Sequence, residues 1–128
     1  GWAFKKDTND TRESAAIYIA DKLIDEQAKI EVFDPKVNYQ QIISDLEYLG
    51  TRSTEENESL ISFDENPYNA LKDSHAIAVL TEWDEFKDYN WKEIFIQMRK
   101  PAFVFDGRGV LPKEELENLG FNVFVIGK

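Results

Sequence analysis

Apolar and polar positions alternate along this chain in blocks that change period. Gly1 to Phe4 are apolar, Lys5 to Thr11 contain no aliphatic residue, and a helical periodicity begins at Ala15. The opening therefore reads as the end of a strand, a polar loop and a helix start, with Asp10 and Glu13 spaced like a capping box. The helix is expected to run to about Glu26. Ala16, Ala20, Leu23, Ile24 and Ala28 lie on one face, which Ile17 and Ile19 widen, and Asp21, Lys22, Asp25 and Glu26 lie towards the other. Ile30, Val32 and Phe33 predict a second strand, stopped at Asp34-Pro35 because proline keeps the preceding residue out of the helical region. Tyr39 to Leu49 predicts a helix ended by Gly50, Thr51 to Glu58 a polar surface loop, and Leu60, Ile61 and Phe63 a third strand.

Asn66-Pro67 starts a short helix through Leu71, and Ala76–Leu80 is an unbroken apolar run, as in a central parallel strand covered on both faces. Thr81 and Asp84 are spaced for a cap. Trp91, Ile94, Phe95 and Met98 form the stripe of a helix ended by Lys100-Pro101. Ala102–Phe105 is a fifth strand, Asp106–Gly109 its turn, Lys113–Leu119 a helix capped by Gly120, and Asn122–Ile126 a last strand. Strands alternating with helices predict an α/β fold with right-handed crossovers. The expected form is one Rossmann-like, three-layer domain over residues 1–128, with a mostly parallel six-stranded sheet whose first strand is truncated. In the order 3-2-1-4-5-6, the loops after strands one, four and five converge on one rim. That rim would carry Lys5, Lys6, Arg12, Glu82, Trp83, Asp106 and Arg108.

Charge sharpens this picture. The chain carries a formal net charge of -10, yet Lys5, Lys6 and Arg12 crowd one short stretch, a local inversion of sign that suits an anion. The acidic excess argues against nucleic-acid backbone binding. The absence of cysteine excludes disulfides, a cysteine nucleophile and thiolate metal ligands within this segment. A single histidine, His75, excludes a histidine-rich metal site and reads as structural or exposed. No apolar run reaches the roughly 20 residues of a membrane helix, and the start inside an apparent strand reads as a cut piece. Asp34 stands where dinucleotide folds keep a ribose-binding acid, but G-x-G-x-x-G is missing, so Asp34 reads as a turn residue. Phe4 suits either a base or sugar face or ordinary core; Asp106 suits a turn cap or a partner of Arg108; Glu82 and Asp84 suit helix-dipole partners. No catalytic centre can be assembled.

The stretch G-x-A-F-K-K-D-T-x-D-T-R-E-S resembles the motif opening the C-terminal UDP-binding domain of UDP-glucose 6-dehydrogenases. The likeness continues in Phe33-Asp34-Pro35-Lys36-Val37, Thr81-Glu82-Trp83 and Lys100–Arg108, in family order. The last helix and strand match more loosely. The resemblance implies a cytoplasmic, homo-oligomeric parent that oxidises UDP-glucose to UDP-glucuronate with two NAD. Its NAD domain and the cysteine that forms thiohemiacetal and thioester intermediates would lie in an N-terminal domain of the same chain. It assigns UDP-sugar contacts to Phe4, Lys5 and Arg108 and an NAD contact to Arg12, and no catalytic or metal-binding residue within this segment. Alternatives are a sister enzyme acting on GDP-mannose or a UDP-N-acetylhexosamine, and a non-catalytic nucleotide-binding module. A response-regulator receiver domain fits poorly, because only Asp64 matches its acidic set and Arg108 replaces its lysine.

Overall fold

The computed structural model describes residues 1–126. The chain divides into two compact units, Gly1–Ala70 and a second from Leu71 onward. In the first unit the elements are α1 (Ala15–Asp25), β1 (Ile30–Val32), α2 (Tyr39–Leu49), α3 (Thr54–Leu60), β2 (Ile61–Phe63) and α4 (Pro67–Leu71). β1 and β2 pair in parallel, with Ile30 opposite Ile61 and Val32 opposite Phe63. Ala16, Ile17, Ala20 and Ile24 of α1, Ile42 and Leu46 of α2, and Ile61 of β2 are buried. Leu23 and Ile19 are exposed, and Asp21, expected on the polar face, is buried instead.

The second unit holds β3 (Ala76–Val79), a 3-10 helix (Asp84–Asp88), α5 (Trp91–Gln97), β4 (Phe103–Asp106), α6 (Lys113–Leu119) and β5 (Asn122–Val125). Its sheet is parallel in the order β3-β4-β5. Asn90 caps α5: its side chain accepts from Glu93 N–H at the start of that helix. β3 is not covered on both faces: Ala76 and Ala78 are exposed while Ile77 and Val79 are buried. An aromatic row, Phe103, Phe105 and Phe124, stacks with ring centroids 6.4 and 5.4 Å apart.

The α/β, Rossmann-like class holds, with parallel strands alternating with helices. The six-stranded sheet does not: among the described residues there is a two-stranded and a three-stranded sheet. The expected first strand is missing from both. Gly1 to Phe4 make no ladder, because the Trp2 and Ala3 N–H groups donate to the carboxylate of Asp34 rather than to a neighbouring strand. The expected loop Thr51–Glu58 also differs: α3 occupies most of it. Ser53 caps that helix by accepting from Glu56 N–H, and its hydroxyl donates to the Glu56 side chain, in the S-x-x-E spacing of a capping box.

Candidate functional site

The polar loop of the first unit is built outward from a buried pair. Trp2 and Ala3 are buried, and the next residue, Phe4, is 47% exposed, so the chain leaves the core between Ala3 and Phe4. Trp2 is held through its backbone N–H by Asp34, through its indole N–H by Asp45 at 3.0 Å, and through its carbonyl, which accepts from the Ser14 hydroxyl at 2.8 Å. The Phe4 N–H donates to the Asp10 carbonyl at 2.8 Å and closes the loop on itself. Asp7 and Glu13 take left-handed backbone conformations within it, with φ of 63° and 61°. Ser14, not Asp10, caps α1: its hydroxyl accepts from Ala16 N–H. Left-handed Glu13 stands outside the helix, which rules out the capping box expected with Asp10.

Phe4, Lys5 and Lys6 are exposed on this loop. Arg12 is also exposed, but it is not a bare cation. Its Nε and Nη2 donate to the two oxygens of Asp10 at 3.0 and 2.9 Å. This fork holds the Asp10 carboxyl down from its usual 3.8 to about 2. Arg12 Nη1 remains to donate to a further oxygen, so the residue suits a phosphate contact. Lys36, Asp7, Thr8 and Asn9 line an open hollow of about 390 Å³. Sequence reasoning gave Lys36 no role, although it lies within the resembling Phe33–Val37 block.

In the second unit, Asp106 ends β4 fully buried. One of its oxygens accepts from the N–H groups of Arg108 at 3.0 Å and Gly109 at 2.8 Å, the other from Leu111 at 2.9 Å. Asp106 thus caps the turn, one of its two expected roles. The Arg108 guanidinium pairs instead with the Glu82 carboxylate. Glu82 is therefore a partner of Arg108. Gly107 runs so close to β3 that an added Cβ would lie 3.2 Å from the Val79 carbonyl oxygen, and Gly109 has φ of 67°. Glycine permits both the close approach and the left-handed turn that lift Arg108 to the surface. Trp83 is buried and so does not stand among the exposed polar groups; His75 is exposed, one of its two expected placements.

Arg52 was missed altogether. It donates to Asp21 and Asn57 at 2.8 and 3.0 Å, to the Asp21 carbonyl, and pairs with Asp25. Burial acts to lower its pKa, but the hydrogen bonds and charges of Asp25 and Asp21 outweigh that and raise it. This network ties α1 to the start of α3. Among the described residues no cluster of three or more histidines, cysteines or acids could hold a metal ion, and no helix is long and apolar enough to cross a membrane.

Each unit by itself offers a contact that suits an anion: the first has mobile lysine charge on a glycine-free loop, the second an arginine fork on a tight glycine turn. The chain is 46% identical along its whole length to a Drosophila melanogaster protein named UDP-glucose 6-dehydrogenase, of which it covers 27%. It is 47% identical to a Gallus gallus protein of that name, covering 26% of it, and 43% identical to UDP-glucose 6-dehydrogenase 1 of Arabidopsis thaliana, covering 29%. The chain thus spans roughly a quarter of the length of these curated relatives. A family model described as "UDP-glucose/GDP-mannose dehydrogenase family, UDP binding domain" matches residues 1–113, a span that includes Phe4, Lys5, Arg12 and Arg108; the chain belongs to this family.

Proposed function

We propose that this chain is the UDP-sugar-binding part of an NAD-dependent UDP-glucose 6-dehydrogenase of the cytoplasm. The parent reaction converts a primary alcohol to a carboxylate: R–CH2OH and water give R–COO⁻ and three protons, with two hydrides passed to two NAD. NAD supplies the hydride acceptor. This chain's own residues bind and orient the nucleotide: Phe4 against the base or sugar, Lys5 and Arg108 against the diphosphate or sugar oxygens, and Arg12 through Nη1 against an NAD phosphate. The chemistry itself, a cysteine nucleophile and the dinucleotide fingerprint belong to an N-terminal domain of the same chain, in a homo-oligomeric enzyme. The observation that carries this reading is the family match over the span that holds all four residues. Two features of the structure support it: Phe4 and Lys5 are exposed, and Arg108 is lifted on a glycine turn whose backbone Asp106 holds.

The test is Arg108→Ala in the full-length enzyme. A charge-assisted contact contributes about 1.5–3 kcal/mol, roughly ten- to 150-fold in affinity. UDP-glucose binding should weaken by that factor, with NAD affinity nearly unchanged. The melting temperature without ligand should hardly move, because half-exposed pairs such as Arg108–Glu82 contribute about 0–1 kcal/mol. Arg108→Lys keeps the charge but loses the fork, and should recover part of the loss. Unchanged UDP-glucose affinity with a melt several degrees lower would make Arg108 a structural residue. Equal binding of GDP and UDP by the unaltered enzyme would favour the sister-enzyme reading.

A further inference from the structure

Asp34 is 2% exposed and uses both carboxylate oxygens. Oδ1 accepts from the N–H groups of Lys36 and Val37 at 2.9 and 3.1 Å, two and three residues onward. That is the ordinary business of an aspartate that starts a turn. Oδ2 has no part in the turn. It accepts from the N–H groups of Trp2 and Ala3 at 2.7 and 2.9 Å, which lie 32 and 31 residues away. Those two residues are the buried root from which Phe4 and Lys5 emerge. The other oxygen fixes the backbone of Lys36, whose side chain lines the hollow together with Asp7, Thr8 and Asn9 of the same loop. One carboxylate therefore fixes the backbone at Lys36, which lines the hollow, and at the root of the loop that supplies Asp7, Thr8 and Asn9.

We infer that Asp34 is a positioning residue for the ligand contacts of the first unit: it fixes where the chain leaves the core and so where Phe4 and Lys5 stand. The inference rests on the proposed roles of Phe4 and Lys5. Its chemistry is specific to an ionised carboxylate, which alone among side chains of this size offers two acceptor oxygens with about four lone-pair sites. An asparagine has the same shape but accepts on one oxygen only, and its amide would present N–H donors to two backbone donors. Asp34→Asn therefore keeps either the turn or the root, not both.

The test is a double-mutant cycle in the full-length enzyme with Asp34→Asn and Lys5→Ala, read by KM and kcat for each substrate. Asp34→Asn should raise the UDP-glucose KM about tenfold, with kcat and the NAD KM within about twofold. On the Lys5→Ala background the same change should cost a clearly smaller factor, because one of the two contacts that Asp34 positions is already removed. An equal factor on both backgrounds, or a joint fall in kcat and both affinities, would overturn the inference and leave Asp34 a turn residue. Lys5→Ala without effect on UDP-glucose would instead sink the proposed ligand role, and the inference with it. If Asp34→Asn does not fold, hydrogen exchange of the unaltered enzyme decides. Trp2 and Ala3 amides that are protected, and slowed further by UDP-glucose, support the inference. Amides that exchange as an open loop does, or ignore the ligand, overturn it.

Discussion

Asp34 in the first unit and Asp106 in the second do one job at two ranges. Each is buried beside the C-terminal end of a strand, and each gathers backbone N–H groups onto both of its oxygens. Asp106 takes its three donors from two, three and five residues onward, so it organises a single turn. Asp34 does the same with Lys36 and Val37, then also pins Trp2 and Ala3. The difference lies in what the loop can do for itself. The β4 turn contains Gly107 and Gly109 and folds back tightly on its own. The opening loop has no glycine after Gly1, places Asp7 and Glu13 in the left-handed region, and needs an outside anchor.

The largest expected effect breaks this pair directly. Asp34→Ala strands four donors, of which those of Trp2, Ala3 and Val37 are in buried bonds. Asp106→Ala strands three, of which only the Leu111 bond is buried; those of Arg108 and Gly109 can turn to water. An unsatisfied buried donor costs about 1–3 kcal/mol. The first change should therefore destabilise by about 3–5 kcal/mol and the second by about 1–3 kcal/mol. Denaturant unfolding of the purified chain measures both. Equal midpoints would mean that the long-range bonds of Asp34 contribute nothing.

Range also decides what the residues could tell in advance. The Asp106 turn was legible because its donors follow within five residues and glycines flank the arginine. Asp34 was readable as a turn residue for the same reason, and unreadable as an anchor because its other partners are more than 30 residues away. The lost first strand follows from that: Gly1–Phe4 has strand-like composition, and nothing local announces that a carboxylate takes its N–H groups. α3 was a different failure. Thr54–Leu60 has almost no apolar face, and Asn57 is its only buried residue. Its signal was the capping box of Ser53 and Glu56, which periodicity alone passes over. Buried Asp21 escaped because Arg52, which compensates it, stands 31 residues onward. The six-stranded sheet was an extrapolation from alternation, which fixes element order but not how many strands join one ladder.

A second contrast concerns how helices end in the two units. Gly50 closes α2 with φ of 67° and open space where a Cβ would be. Gly120 closes α6 with φ of 117°, and an added Cβ would lie 2.6 Å from Phe95 Cζ. The Phe95 ring has little room to move: it packs edge-on to Phe121 at 5.0 Å, and the Lys100 ammonium lies 4.4 Å from its centroid. Gly50→Ala should cost only left-handed strain, about 1–2 kcal/mol. Gly120→Ala adds overpacking, for a total of roughly 2–5 kcal/mol. Thermal unfolding that ranks Gly50→Ala as the more damaging would show that the Phe95 ring yields freely.

The smallest effect lies on the loop that Asp34 anchors, and it separates exposed from buried carboxylates. Asp10 is bonded by the Arg12 guanidinium, and its pKa is lowered from 3.8 to about 2. A carboxyl depressed in the folded state contributes stability above its unfolded value and loses it as pH falls through the folded one. The contribution of Asp10 is therefore complete above about pH 4 and fades towards pH 2, so nothing in this pair titrates between pH 5 and 8. Both side chains are exposed, 38% for Asp10 and 88% for Arg12, so salt should screen the effect. Carboxyl NMR titration at low salt should place Asp10 near 2 and return it towards 3.8 in Arg12→Ala. An unshifted Asp10 in the unaltered protein would mean that Arg12 is not held. Its whole guanidinium, rather than Nη1 alone, would then be available to a phosphate, and Asp10→Asn should leave NAD affinity unchanged. If the pair is held as described, Asp10→Asn frees the fork and should alter NAD affinity by about two- to fivefold, measurable in the full-length enzyme.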